Sequence, residues 1–139
     1  IRPFVSARSE VGAAAFARGH RRERWARIAV ASAKQCGRAV VPEIHEVADM
    51  VTALAADRSA LRLLLVEPAV AAAATTLGVL APPSAVSLAI GPEGGWTRDE
   101  VASAVAVGWQ PLRLGGRVLR AETAPTVALA ACQAVWADD

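Results

Sequence analysis

Twice in this chain an apolar run stops at a glycine-rich turn and a helix-start signal follows at once. That pattern confines the fold to sheets with helices laid over them. The later copy is LRLGGRVLRAETAPT, residues 112–126. A strand is expected over 109–114, interrupted by Gly115 and Gly116. Adjacent glycines admit left-handed backbone angles and the close approach of a ligand or another segment. A compact loop carrying Arg117, Arg120 and Glu122 then leads into a helix at Thr123. Pro125 falls in its first turn, where a missing N–H costs nothing. The earlier copy reads as a buried strand over 85–90, a loop Gly91-Pro92-Glu93-Gly94-Gly95, and a capping box from Thr97 to Glu100. Ligands of open α/β sheets sit at the C-terminal ends of strands, so both turns are candidate ligand contacts.

Neither turn is a known phosphate cradle. Gly91-x-x-Gly94-Gly95 lacks the GxGxxG spacing and the Lys-Ser/Thr of a Walker loop. Glu93 also sets a carboxylate where a phosphate needs N–H groups. Its plain reading is a residue that ties the loop together by accepting backbone hydrogen bonds.

Elsewhere the pattern is strand and helix in turn. Short strands are expected over 2–7 and 38–41, the second stopped by Pro42. A buried strand is expected over 60–66, ending at Glu67, whose plain role is to cap the next helix. Helices are expected over 20–34 and 45–57, and an Ala-rich one over 69–77. Residues 8–20 read as a loop running into a helix. In the first helix Trp25, Ile28, Ala29, Ser32 and Ala33 share helical spacing, with Trp25 as a core anchor. In the second, Val47, Val51, Leu54 and Ala55 share a face. Alternation of this kind implies a parallel sheet with covered faces. At 139 residues the chain is one domain by length. It is 54% hydrophobic but only 4% aromatic, so its core must be built from Ala, Val and Leu.

The last helix, 123–136, is apolar nearly all round: only Thr126 and Gln133 interrupt Val127, Leu129, Cys132, Val135, Trp136 and the alanines. Such a helix must be buried on every side, and a homodimer interface is the simplest second surface. The charge-free run 68–92 is broken by Pro68, Gly78, Pro82 and Pro83, which argues against a membrane span. Cys36 and Cys132 have no framework or metal spacing and read as two buried, reduced thiols in a cytoplasmic protein. His20 and His45 lack ligand spacing, so no metal is expected. Net charge is +2, but residues 1–40 hold nine of the fifteen basic residues and two acids, a balance of +7, against −5 for the rest. That asymmetry suggests a polyanion-binding face.

The motifs IGPEGGW (residues 90–96) and LGGRVLRAETA (residues 114–124) closely resemble those of the RsmE family, in the family's order and separation. Arg8-Ser9, the stretch from Lys34-Gln35-Cys36 to Arg38, and Val41-Pro42-Glu43-Ile44 are similar too. The resemblance implies a SPOUT-class enzyme that methylates N3 of a uridine in small-subunit (16S) ribosomal RNA with S-adenosylmethionine. It implies an α/β fold, a SPOUT-type parallel sheet with flanking helices and a C-terminal deep trefoil knot, assembled as a homodimer. Family members usually carry a PUA-like RNA-binding domain first; residues 1–139 read as the methyltransferase domain without it. S-adenosylmethionine suits the glycine turns because its sulfonium is positive. By resemblance its pocket is lined by Leu65, Glu67, Ile90, Gly91, Pro92, Gly95, Leu114, Gly115, Arg117, Val118, Leu119 and Thr123. Gln35 and Arg38 lie near the substrate. An arginine beside the uracil carbonyls would favour the N3 anion; Arg120 is the first candidate, then Arg117 and Arg8. Glu122 either accepts the proton or fixes Arg120. The partner is small-subunit ribosomal RNA or the ribosomal particle. Alternatives are a SPOUT enzyme with another nucleoside target, a non-catalytic RNA-binding module of the same fold, and a generic dinucleotide-binding α/β protein.

Overall fold

The computed structural model describes residues 1–12, 15, 20–68 and 74–136. They form two compact units, one of Ile1–Val5 with Glu10–Ala53, the other of Ser6–Ser9 with Leu54–Asp139.

In the first unit, strand β1 (Phe4–Val5) pairs in parallel with β2 (Ala48–Asp49). His45 N–H donates to the Ile1 carbonyl at 2.9 Å and Ala48 N–H to that of Pro3 at 3.2 Å. This pairing explains why the helix expected over 45–57 is shorter. Residues 45–49 follow β1, and helix α2 (Met50–Ala55) starts only where Asp49 caps the Thr52 N–H at 2.9 Å. Its buried residues are Met50, Ala53 and Leu54; Val51 is exposed, so the apolar face is not the one periodicity suggested. Helix α1 (Arg21–Gln35) lies within a residue of its expected bounds. Ala29 and Ala33 are its buried residues, Trp25 is half-buried and Ile28 is exposed. No strand forms over 38–41, because the Arg38 N–H goes to the Ala33 carbonyl at 2.9 Å in closing the helix. Cys36 is exposed, against the expectation that both thiols are buried. Of the loop-to-helix expectation for 8–20, residues 13, 14 and 16–19 lie outside the described residues.

The second unit is built on a three-stranded parallel sheet in the order β4-β3-β5: β3 is Leu61–Leu65, β4 is Val86–Ala89 and β5 is Gln110–Leu112. Each strand is shorter than its apolar run. The central strand needs leucine because both its faces are covered. Leu63 and Leu64 are fully buried, and Leu63 stands opposite Leu88 on one side and Gln110 on the other. Leu63, Leu77, Leu112 and Cys132 form one buried cluster. Truncating a buried leucine of this kind to alanine costs about 2–5 kcal/mol.

Thr75 bridges in parallel to Leu112, and a single 3-10 turn occupies Leu77–Val79. The Ala-rich helix expected over 69–77 is therefore not seen at its C-terminal end; residues 69–73 lie outside the described residues. Helix α3 (Arg98–Ala106) opens with the expected capping box. Thr97 Oγ1 accepts the Glu100 N–H at 3.2 Å, and Glu100 Oε2 accepts the Thr97 N–H at 2.8 Å. Helix α4 (Ala124–Trp136) buries Ala124, Ala128 and Cys132 and ties its end down through Trp136 Nε1, which donates to the Leu80 carbonyl at 3.2 Å. Its other face is open in the single chain, with Leu129 57% exposed. Among the described residues no helix is long and apolar enough to cross a membrane.

Candidate functional site

Parallel strands end on the same side, so the carboxyl ends of β3, β4 and β5 deliver three connections to one edge of the second unit. These are Val66-Glu67-Pro68 after β3, residues 90–97 after β4 and residues 113–123 after β5. Between them lies a cleft of about 420 Å³. Small-molecule sites occupy roughly 300–1,000 Å³.

Both glycine turns reach this cleft, each held by specific contacts. Trp96 is buried, and its Nε1 donates to the Leu65 carbonyl at 2.7 Å, joining the turn after β4 to the end of β3. The indole lies against Gly91, where an added Cβ would come within 2.9 Å of the ring. Gly95 closes the turn, its N–H donating to the Pro92 carbonyl at 2.9 Å, with φ at 69°. A Cβ on Gly95 would stand 2.5 Å from Glu67 Oε1. Glycine is favoured there by its positive φ, and any larger residue would also have to displace the Glu67 carboxylate.

Behind the turn a second layer fixes its position. Arg8 Nη1 donates to the Gly94 carbonyl at 2.8 Å. Arg8 is presented by a turn in which Ser9 Oγ accepts the Ser6 N–H at 3.0 Å. The neighbouring Ala7 N–H donates to Glu100 Oε1 at 2.7 Å. Glu100 thus caps α3 with one oxygen and holds the Arg8 turn with the other.

On the opposite wall Gly115 has φ of 87°, the left-handed angle expected for the break after β5. The loop continues through Arg117, Val118 and Leu119. The Arg120 carbonyl accepts the N–H groups of Thr123 and Ala124, at 3.0 and 2.9 Å, and so starts α4. Arg120 and Glu122 form an ion pair at 3.9 Å, with side chains 85% and 64% exposed.

Every residue expected to hold a cofactor lines the cleft except Thr123, whose successor Ala124 does. Arg120 and Glu122 line it as well. Arg8 does not; it braces the Gly94 turn from outside. Gln35 and Arg38 belong to the first unit, Gln35 as the last residue of α1 and Arg38 in the loop beyond. Sequence reasoning passed over Trp96 and Arg113, which also line the cleft. The signal for Trp96 was its place, a large indole directly after a glycine pair.

The lining chemistry discriminates among ligands. Three carboxylates, Glu67, Glu93 and Glu122, and three guanidiniums, Arg113, Arg117 and Arg120, line the cleft together with apolar Leu65, Ile90, Leu114 and Leu119. A polyphosphate site concentrates cations and N–H donors; this balance does not. It fits a ligand that carries both signs of charge, as S-adenosylmethionine does with its sulfonium, ammonium and carboxylate.

A cleft at the carboxyl edge of a parallel sheet, built from two glycine turns and balanced in charge, defines a small-molecule-binding α/β protein. The chain belongs to the family described as the RNA methyltransferase domain, whose profile matches residues 1–133. The ribosomal RNA small subunit methyltransferase E of Buchnera aphidicola is 30% identical over 117 residues, covering 84% of this chain and 45% of that protein. A solved methyltransferase E from Neisseria gonorrhoeae, bound to S-adenosylmethionine, is 37% identical with a TM-score of 0.85, covering 98% of this chain and 54% of that one. The Legionella pneumophila protein Lpg2936, solved with SAM bound, is 32% identical with a TM-score of 0.88, covering 100% of this chain and 56% of that one. The resemblance to the RsmE family carried by the two motifs is thereby borne out. The chain spans about half the length of these relatives.

Proposed function

We propose that this chain is the cofactor-binding and catalytic part of an enzyme that methylates N3 of a uridine in small-subunit (16S) ribosomal RNA, with S-adenosylmethionine as donor. The observation that carries the reading is the meeting of the two glycine turns in one charge-balanced cleft at the ends of β3, β4 and β5. The names and bound cofactor of the relatives support it.

Ile90, Gly91, Pro92 and Gly95 form one wall of the cofactor site. Leu114, Gly115, Arg117, Val118 and Leu119 form the other, with Leu65 and Glu67 between them at the end of β3; Thr123, a cofactor contact by resemblance, immediately precedes α4. When bound, S-adenosylmethionine supplies an electrophilic methyl group on a positively charged sulfur. The protein's own task is to position the uracil and to make its N3 nucleophilic. Orientation of two reactants in one site is worth several kcal/mol, on the order of 7–11 in well-aligned cases. Uracil N3–H is a weak acid, and a guanidinium beside the adjoining carbonyl oxygens stabilises the anion left when the proton departs. Arg120 fills that role, with Arg117 next to it in the same loop. Glu122 restrains Arg120 through their ion pair and offers a carboxylate to the N3 proton. Arg8 holds the Gly94 carbonyl and so keeps the first turn in place. Gln35 and Arg38 belong to substrate recognition.

The assembly is a homodimer of the SPOUT type, with the chain knotted near its C-terminus. The open face of α4, with Val127, Leu129 and Val135 exposed in the single chain, supports a partner surface there. The compartment is the cytoplasm, where the ribosomal substrate resides.

The test is methyl transfer from radiolabelled S-adenosylmethionine to small-subunit particles that lack the modification, with the product base mapped. Label at N3 of one uridine is the expected result. Label on another nucleoside would replace the substrate assignment, and no binding of S-adenosylmethionine by calorimetry would end the methyltransferase reading.

A further inference from the structure

Helix α1 carries five basic residues and one acid in fifteen positions. They are not equivalent. Ala29 and Ala33 mark the buried side. Arg22 lies near that side and is engaged, donating to the Ile44 carbonyl at 3.0 Å and pairing with Glu46. The one acid of the helix, Glu23, pairs with His20. Arg24, Arg27 and Lys34 lie on the other side. With Ala31 they follow the i, i+3, i+7, i+10 spacing that draws a single line along a helix. All four are exposed. Arg24, Arg27 and Lys34 make no ion pair or side-chain hydrogen bond among the described residues.

We infer that this line is a docking surface for the phosphate backbone of the RNA substrate. Ten residues separate Arg24 from Lys34, about 15 Å at 1.5 Å per residue, enough to meet several successive phosphates. Ala31 leaves the middle of the line low, so a backbone can lie close between the two arginines and the lysine. Three cations held apart on a rigid scaffold repel one another unless a polyanion neutralises them. The one acid of the helix, Glu23, stands four residues before Arg27 on the same side, so the line keeps a net charge of +2 even with Glu23 counted. The surface carries no base-reading groups, so it contributes affinity and register rather than sequence choice.

The inference rests on the RNA-methyltransferase reading for its partner, and one experiment separates the two. Binding of a short fluorescein-labelled single-stranded RNA is followed by anisotropy across a salt series, and S-adenosylmethionine binding is followed by calorimetry. The variants are Arg24→Gln/Arg27→Gln/Lys34→Gln and a control of equal charge loss at exposed sites, Arg2→Gln/Arg58→Gln/Arg98→Gln. Each phosphate contact on single strands adds about 0.7 to the slope of log affinity against log salt. The line variant should lower that slope by about 2 and weaken RNA binding at least tenfold at low salt, while cofactor binding and the control's RNA binding hold. Equal slopes in wild type and line variant overturn the inference, as does an equal fall in the control. A chain that binds RNA through the line but not S-adenosylmethionine supports the surface and sinks the methyl-transfer reading.

Discussion

The indole N–H of Trp96 donates to the carbonyl oxygen of Leu65 across 2.7 Å, and this bond fastens the glycine turn after β4 to the end of the central strand. Trp96→Phe keeps most of the apolar bulk but leaves that carbonyl without its donor. An unmet buried acceptor costs about 1–3 kcal/mol. The variant should therefore be less stable by about that free energy, read from urea unfolding. It should also bind S-adenosylmethionine more weakly, because the wall formed by Gly91 loses its backing. Calorimetry on the folded variant separates the two effects.

Gly95→Ala attacks the same turn from the other side. Alanine at a φ of 69° costs roughly 1–2 kcal/mol in backbone conformation, and its Cβ would meet Glu67 Oε1. Glu67 must swing aside or the turn must open, and either change alters the cleft. Cofactor affinity should fall at least tenfold with a modest loss of stability. Gly95→Ala combined with Glu67→Ala removes the collision but not the backbone strain. Its stability should recover in part, and its cofactor affinity should not recover if the Glu67 carboxylate faces the ligand.

The two turns and their caps were legible because their signals are local. Glycine pairs, a Thr-x-x-Glu box and a proline in a first turn each act within a few residues. The cleft residues were named through motif resemblance, which reaches across sequence where periodicity does not. The expectations that failed were decided by distant partners. Residues 45–49 leave the helical register because β1, more than forty residues earlier, offers them strand hydrogen bonds. Residues 38–41 lose their strand to the closing of α1. Trp96 escaped notice because an indole after two glycines does not announce that its N–H will find the end of another strand.

Asp57 gives a pH-dependent check on the second unit. Burial pushes its pKa up, but the Ser59 N–H at 2.8 Å, the Ser87 hydroxyl at 2.7 Å and nearby Arg62 outweigh it and leave the carboxyl below its ordinary value of 3.8. A depressed folded-state pKa stabilises the fold above the unfolded-state value. That contribution fades as pH falls through 3.8 and disappears below the folded-state pKa. Asp57→Asn should therefore be less stable than wild type near neutral pH. The gap, read from urea midpoints, should narrow below pH 3.8. A gap independent of pH would mean that shape rather than charge holds Ser59 and Ser87.

Arg120 and Glu122 separate chemistry from stability. Both are largely exposed and meet at 3.9 Å, and exposed pairs of this kind contribute about 0–1 kcal/mol. Arg120→Ala and Glu122→Gln should leave thermal unfolding almost unchanged and, because Arg120 acts on the uracil, should leave S-adenosylmethionine affinity within a few-fold of wild type. Methyl transfer should respond differently. Losing a donor that stabilises developing negative charge costs on the order of 10²–10³ in rate, so Arg120→Ala should fall by that factor in kcat. Arg120→Lys should recover little, because an ammonium cannot span two sites as a planar guanidinium does. If Glu122 accepts the N3 proton, raising pH should rescue Glu122→Gln, since the uracil ionises unaided at high pH. If it only restrains Arg120, the variant and wild type should keep parallel pH profiles.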